Sequence, residues 1–167
     1  ITVVNDGTNT NETRLGAVRD IQFAAERLHI DSDMLVIAGD NLLNFSLSKF
    51  ISYAVKKQAS CVMRYFEPER QRLLKSGVLT VSRDDLVTEM TEKSPEPKTN
   101  WCCPPFYYYT KRDAKLIPEA ISSGCGVDAP GSFIAWLCRK SPVYAMEMPG
   151  KRYDIGNLES YKAVQKE

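Results

Sequence analysis

The stretch that decides the fold is residues 34–41, MLVIAGDN. Its five leading apolar residues predict a buried strand, and a glycine and then Asp40 follow at the strand's carboxyl end. Ligands of open α/β sheets bind at that end, so Asp40 is a candidate site residue. The alternative is an aspartate that only caps a turn.

A second carboxylate with similar neighbours lies far along the chain. Asp154 stands in residues 150–157, GKRYDIGN, two positions before Gly156. Glycine lets a ligand approach the backbone closely, and a carboxylate beside it can hold Mg²⁺ against phosphates. If Asp40 and Asp154 converge, they form a metal site suited to phosphate chemistry. Taken alone, Asp154 is equally typical of an ordinary turn.

Composition describes one ordinary globular domain. The 167 residues are 43% apolar, and 22 basic residues nearly balance 21 acidic ones. This balance predicts no nucleic-acid partner, and no apolar run approaches the roughly 20 residues of a membrane span. The five cysteines form no C-x-x-C pair and His29 is the single histidine, so a zinc site is not expected. A reducing, cytoplasmic setting fits this cysteine usage.

Helical and strand patterns alternate along the chain. The pattern predicts helices over residues 15–28, 47–55, 67–74, 111–121, 131–137 and 158–164. It predicts strands over residues 1–4, 34–38, 61–63, 77–81, 86–91, 106–109 and 143–148. Such alternation predicts an α/β fold with a mostly parallel sheet and one antiparallel insertion near residues 77–91.

Four further residues are candidates for a phosphate or sugar site. Glu92 and Lys93 end a predicted strand, where the lysine can reach a phosphate, although a solvated ion pair is the plainer interpretation. Gly77 opens a strand and could let a sugar hydroxyl meet backbone amides, or could simply be a turn glycine. Gly16 lies at the start of a predicted helix and could approach a nucleobase or phosphate, or could serve close packing.

Taken in order, these segments resemble the sugar-1-phosphate nucleotidylyltransferase family, especially the enzymes that make dTDP-glucose. The matching stretches are residues 12–17 (ETRLGA), 35–45 (LVIAGDNLLNF), 87–97 (VTEMTEKSPEP), 142–145 and 153–161 (YDIGNLESY). The resemblance implies a three-layer α/β/α Rossmann-like nucleotidyltransferase fold with a mixed, mostly parallel sheet. It also implies transfer from a nucleoside triphosphate to a sugar 1-phosphate, giving an NDP-sugar and pyrophosphate, with dTTP and glucose 1-phosphate as the expected pair.

The resemblance also implies a role for each candidate residue. Asp40 and Asp154 would hold the catalytic Mg²⁺, and Lys93 would bind the sugar phosphate. Glu92 and Gly77 would contact sugar hydroxyls. The remaining residue, Gly16, would lie against the nucleobase.

One departure from the family bears on activity. The family opens with a G-G-x-G-T-R loop and a P-K segment downstream of it, which bind the triphosphate. Residues 1–167 contain no such loop, and their one Pro-Lys pair, at positions 97–98, follows Lys93 and does not stand near the start of the chain. We therefore expect a partial, N-terminally truncated nucleotidyltransferase domain over residues 1–167 that lacks the first nucleotide-binding βαβ unit. The alternatives are a non-catalytic module that binds a sugar phosphate or NDP-sugar, and an inactive fragment. A truncated sheet would expose an edge, which predicts a homo-oligomer.

Overall fold

The structure, a computed structural model, describes residues 1–165. The helices are α1 (Ala17–Arg27), α2 (Ser48–Lys57), α3 (Arg70–Leu73), α4 (Lys111–Ala114), α5 (Ile117–Ser122), α6 (Gly131–Leu137) and α7 (Leu158–Val164). The strands are β1 (Met34–Ile37), β2 (Asn41–Leu43), β3 (Ser60–Phe66), β4 (Gly77–Val81), β5 (Val87–Glu92), β6 (Trp101–Cys103), β7 (Phe106–Tyr109), β8 (Val143–Glu147) and β9 (Arg152–Asp154).

Each predicted helix is present, and the one predicted over residues 111–121 is divided into α4 and α5. The strand predicted over residues 1–4 is wrong, because this segment takes no regular structure and has no partner strand among residues 1–165. Three strands were missed, namely β2, β6 and β9, each of only three residues. So short a run carries too little alternation to be recognised from sequence.

Strand β7 shows why the molecule has three layers. All four of its residues are buried, and alternate side chains of a strand point to opposite faces of the sheet. Tyr107 and Tyr109 pack in a core with residues of α1, α5 and α6. Phe106 and Tyr108 pack on the other face with residues of α2. Helices therefore cover both faces of the sheet, as predicted for an α/β/α fold.

The main sheet is mixed but mostly antiparallel, so the prediction of a mostly parallel sheet is wrong. Its strand order is β1-β7-β3-β6-β4-β5, with β8 added beside β3. The pair β3–β8 is parallel, and every other ladder of that sheet within residues 1–165 is antiparallel. The strands β1, β3 and β8 do share one direction. However, β7 runs the opposite way between β1 and β3, and β6 with the β4–β5 hairpin adds further antiparallel pairs.

Strand β1 is an edge of this sheet. Among the described residues it pairs with β7 alone, and the side chain of Ile37 is 44% exposed. An uncovered edge strand offers unpaired backbone groups to another chain. We therefore predict that the protein self-associates, with a mass by light scattering at or above that of two 18.8-kDa chains. A charge at the edge, in Ile37→Lys, should favour the monomer, and a monomeric wild-type protein would contradict the prediction.

The described part of the chain, residues 1–165, contains no helix that is long and apolar enough to span a bilayer. The cytoplasmic setting stays a prediction.

Candidate active site

A two-stranded antiparallel ribbon brings the two predicted aspartates together. Strand β2 pairs with β9 so that Asn41 lies opposite Asp154. Next to this pair, the backbone N–H of Ile155 donates to the carbonyl oxygen of Asp40 at 2.8 Å. Asp40 follows the end of β1, as predicted, but the ribbon is what places it beside Asp154. The two aspartates therefore converge because β2 and β9 pair as an antiparallel ribbon, and not because they follow neighbouring parallel strands.

A chain of polar contacts holds the two carboxylates in place. The Asn41 side-chain amide donates to Asp40 Oδ1 at 2.7 Å and accepts from Arg152 Nη1 at 2.6 Å. The same guanidinium nitrogen lies 3.6 Å from Asp154 Oδ2. The Arg152 side chain is only 18% exposed, so this contact is better shielded than an ordinary surface ion pair. Both carboxylates are thus oriented through one arginine and one asparagine.

Both carboxylates approach Gly156. Measured from the point where a Cβ on Gly156 would stand, Asp154 Oδ1 is 3.3 Å away and Asp40 Oδ2 is 4.0 Å away. No cluster of three or more His, Cys, Asp or Glu side chains suited to a metal occurs within residues 1–165. Mg²⁺ prefers oxygen ligands and commonly takes one or two carboxylates with waters and substrate phosphates. The residues present therefore fit Mg²⁺.

Five of the six predicted site residues line one cavity of about 430 Å³. They are Asp40, Gly77, Glu92, Lys93 and Asp154. The cavity lies between the β2–β9 ribbon and the base of the β4–β5 hairpin. Acidic residues and a lysine therefore line one open cavity, which is an arrangement suited to a metal ion and an anionic ligand.

The Glu92 carboxyl group occupies the space that a side chain at position 77 would fill. Gly77 and Glu92 are directly opposite in the β4–β5 ladder, and a Cβ on Gly77 would stand 2.8 Å from Glu92 Oε1. A Cβ on Gly131, at the start of α6, would also overlap this carboxyl group. Burial raises the pKa of Glu92, while the nearby Lys93 ammonium lowers it. Two glycines thus make room for a partly desolvated acid at the cavity wall.

Lys93 adopts a backbone conformation that few residues other than glycine take. Its φ is +49°, and its N–H donates to the carbonyl oxygen of Ser76 at 3.0 Å. A left-handed residue costs about 1–2 kcal/mol, so the surrounding structure must hold it there. Strain of this kind is often found at functional sites. Here it ends β5 sharply and places Lys93 beside the start of β4.

Gly16 does not line this cavity. Its φ is +89°, and the N–H of Val18 in α1 donates to the carbonyl oxygen of Val127 at 3.0 Å. A Cβ on Gly16 would stand 2.7 Å from that same oxygen. Asp128, the residue after Val127, does line the cavity, and its carboxylate pairs with the Arg14 guanidinium at 2.6 Å. Gly16 therefore supports the loop that forms one wall of the site.

Sequence reasoning missed several residues that line the cavity with the predicted ones. They include Asn41, Tyr65, Lys75, Ser76, Tyr107, Asp128 and Arg152. One signal was present for Arg152, which is two positions before Asp154 in a strand and so faces the same side. No comparable signal marks Tyr65 or Lys75, because chain folding alone brings β3 and α3 to the site.

A family model described as nucleotidyl transferase matches residues 3–167. Two curated relatives are a glucose-1-phosphate adenylyltransferase of Fervidobacterium nodosum and the UTP–glucose-1-phosphate uridylyltransferase AglF of Haloferax volcanii. The first is 24% identical over 130 residues, covering 77% of this chain and 31% of the relative. The second is 28% identical over 132 residues, covering 78% of this chain and 54% of the relative. The chain thus spans between a third and about half of these relatives.

The crystal structure of an apo UDP-glucose pyrophosphorylase has a similar fold. It superposes with a TM-score of 0.78 at 20% identity, covering 92% of this chain and 61% of that one. At this identity the likeness shows the fold alone. It confirms the predicted nucleotidyltransferase α/β fold, although the sheet of this chain is mostly antiparallel.

Proposed function

The chain belongs to the nucleotidyl transferase family, and from that premise we propose that its site transfers a nucleotidyl group from a nucleoside triphosphate to a sugar 1-phosphate. The single observation that carries this proposal is the convergence of Asp40 and Asp154, on the β2–β9 ribbon, in the cavity that Lys93 and Glu92 also line. These groups suit the two needs of the reaction, which are charge neutralisation and the positioning of two anions.

The chemistry needs no strong general base. A phosphate oxygen of the sugar 1-phosphate, already ionised at neutral pH, attacks the α-phosphorus in line. A new phosphorus–oxygen bond forms, the bond from the α-phosphorus to the bridging oxygen breaks, and pyrophosphate leaves with that electron pair. Lys93 would hold the sugar phosphate, and Glu92 would accept a hydrogen bond from a sugar hydroxyl. Mg²⁺ between Asp40 and Asp154 would supply further neutralisation of phosphate charge.

The sugar and the nucleotide are tested together. Both curated relatives are named for glucose 1-phosphate, which supports this sugar, but their names carry different nucleotides. We propose dTTP, as the resemblance implies, and compare it with UTP and ATP. Release of pyrophosphate from each triphosphate, with glucose 1-phosphate and Mg²⁺, measures the activity directly. Dependence of this release on both substrates is the expected result, and release with neither dTTP, UTP nor ATP would contradict transfer by this chain.

A second candidate function is non-catalytic binding of a sugar phosphate or NDP-sugar. The observation that favours it is the lack of a G-G-x-G-T-R sequence in residues 1–167. Calorimetric titration separates the possibilities: saturable binding of an NDP-glucose without pyrophosphate release supports a binding module. Neither binding nor turnover would support an inactive fragment.

The role of Lys93 is tested by Lys93→Met. Loss of a charge-assisted contact to phosphate should raise the KM for glucose 1-phosphate by about tenfold or more, with a smaller change for the triphosphate. Lys98→Met is the matched control, since the Lys98 ammonium pairs with Glu89 at 2.7 Å and does not line the cavity. An unchanged KM in Lys93→Met would favour the interpretation of Glu92 and Lys93 as a solvated ion pair.

A further inference from the structure

A second cavity adjoins the one that holds the proposed site. It has a volume of about 530 Å³, and its lining includes Arg72, Lys75 and Arg152. Lys75 and Arg152 also line the site cavity, as do Ser76 and Tyr65. The two cavities are therefore neighbours with these side chains at their junction, where the Asp154 carboxylate stands beside the two basic groups.

The three cations that line the second cavity differ in whether their side chains already have a partner. Arg72 Nε lies 2.9 Å from a Glu69 carboxylate oxygen, and Arg152 bonds to Asn41. Lys75, in contrast, has no hydrogen bond or ion pair to any side chain of residues 1–165. Contact with an incoming anion would therefore require no existing ion pair of Lys75 to break.

Backbone pairing places Lys75 beside Lys93. The N–H of Lys93 donates to the carbonyl oxygen of Ser76, and Gly77 lies opposite Glu92 in the ladder. Lys75 thus immediately precedes Ser76, the residue whose carbonyl oxygen accepts the hydrogen bond from Lys93. Both line the site cavity, across from the ribbon that carries the two aspartates. The base of the hairpin consequently places two lysine residues at the wall of one cavity.

From this arrangement we infer that Lys75 is a second phosphate-binding residue of the site and holds the phosphoryl group of the sugar phosphate together with Lys93. The inference rests on the proposed function. A phosphate monoester carries about −1.5 to −2 charges at pH 7, so a single ammonium leaves much of its charge unmatched. Two lysines match that charge and bind the phosphate from two directions.

The test is calorimetric titration of the 167-residue protein with glucose 1-phosphate, which requires no turnover. Lys75→Met should weaken binding about tenfold, the loss expected for one charge-assisted hydrogen bond. Lys75→Arg keeps the charge and should stay within about threefold of the wild type. Lys56→Met removes an exposed lysine on α2 that lines neither cavity and should leave the affinity unchanged. Raising the salt concentration should weaken binding less in Lys75→Met than in the wild type.

The outcomes separate this inference from the proposed function. If wild-type protein binds glucose 1-phosphate, Lys93→Met weakens that binding and Lys75→Met does not, the inference is overturned while the proposed function stands. Equal losses in Lys75→Met and Lys75→Arg would also overturn it, because they would indicate a steric effect and not a charge effect. Failure of the wild-type protein to bind glucose 1-phosphate would overturn the proposed sugar-phosphate site and, with it, the role of Lys75.

Discussion

Replacement of Asp154 by alanine should lower Mg²⁺-dependent pyrophosphate release by about 10²–10³-fold, which is the order expected when a ligand of the charge-neutralising metal ion is lost. The free energy of unfolding should change little. The Asp154 side chain is 61% exposed, and its contacts are a 3.2 Å hydrogen bond from the Gly156 N–H and the 3.6 Å approach of Arg152. Because the Asp154 carboxylate itself is mostly exposed and its approach to Arg152 is long, these contacts contribute about 1 kcal/mol or less. This variant should therefore lose most of its activity while its free energy of unfolding stays close to that of the wild type.

Two further variants make the Asp154 test specific. Asp154→Asn keeps the shape and removes the charge, so it should lose turnover nearly as severely as the alanine variant. Glu159→Ala removes a carboxylate five residues further on, in the first turn of α7, and should keep normal activity. Turnover is measured as pyrophosphate release across a Mg²⁺ titration. Wild-type turnover with an unchanged Mg²⁺ requirement in Asp154→Ala would overturn the assignment of this residue to the metal.

Sequence periodicity predicts the elements whose buried face is long enough to repeat. Helix α1 and the β4–β5 hairpin have such repeats, and their predicted bounds lie close to the observed ones. The aromatic strand β7, buried at all four positions, was instead predicted from the strand propensity of its residues. Periodicity states which side of an element is buried, but not which strand lies beside it. The position of β7 between β1 and β3 depends on contacts between segments far apart in sequence. That insertion is why the sheet direction could not be predicted.

In the candidate site, too, some features could be predicted from the sequence and others depend on contacts between distant segments. Asp40 and Asp154 could be recognised from the residues around them. Glu92 and Lys93 could be recognised from their place at the end of a predicted strand, and the resemblance then implied a role for each. The means by which Asp40 meets Asp154, the ribbon of two three-residue strands, has no local signature. The bond from Arg152 to Asn41 is equally non-local. Residue types at a site can thus be predicted where a chemical role restricts them, whereas their supporting contacts depend on the folded chain.

Gly16→Ala should destabilise the fold more than the same substitution at Gly124 or Gly39. The backbone at Gly16 has φ +89° and ψ 151°, a region that residues with a side chain hardly enter, at a cost of about 1–3 kcal/mol. In addition, the new Cβ would stand 2.7 Å from the Val127 carbonyl oxygen, a backbone atom that cannot rotate away. Urea unfolding should show a lower midpoint with an unchanged slope.

The two comparison glycines separate strain from steric contact. Gly124 has φ +85° with no atom within 4 Å of the point where a Cβ would stand, so Gly124→Ala reports strain alone. Gly39 has open space and no positive φ, so Gly39→Ala should be nearly neutral. The expected loss of stability is therefore largest for Gly16, smaller for Gly124 and smallest for Gly39. Equal losses for Gly16 and Gly124 would show that the Val127 contact is unimportant.

The Gly16 variant also distinguishes the predicted nucleobase contact from a packing role. If Gly16 serves only to seat the Val127–Asp128 loop against α1, Gly16→Ala should lower stability and leave the KM for the triphosphate unchanged wherever the protein remains folded. If a base lies against Gly16, the added methyl group should raise that KM by about tenfold, a penalty typical of a forced methyl contact. The Val127 carbonyl oxygen, 2.7 Å from the point where a Cβ on Gly16 would stand, is a packing reason for glycine, so we expect the first outcome. Steady-state kinetics at a temperature well below the unfolding midpoint decide between them.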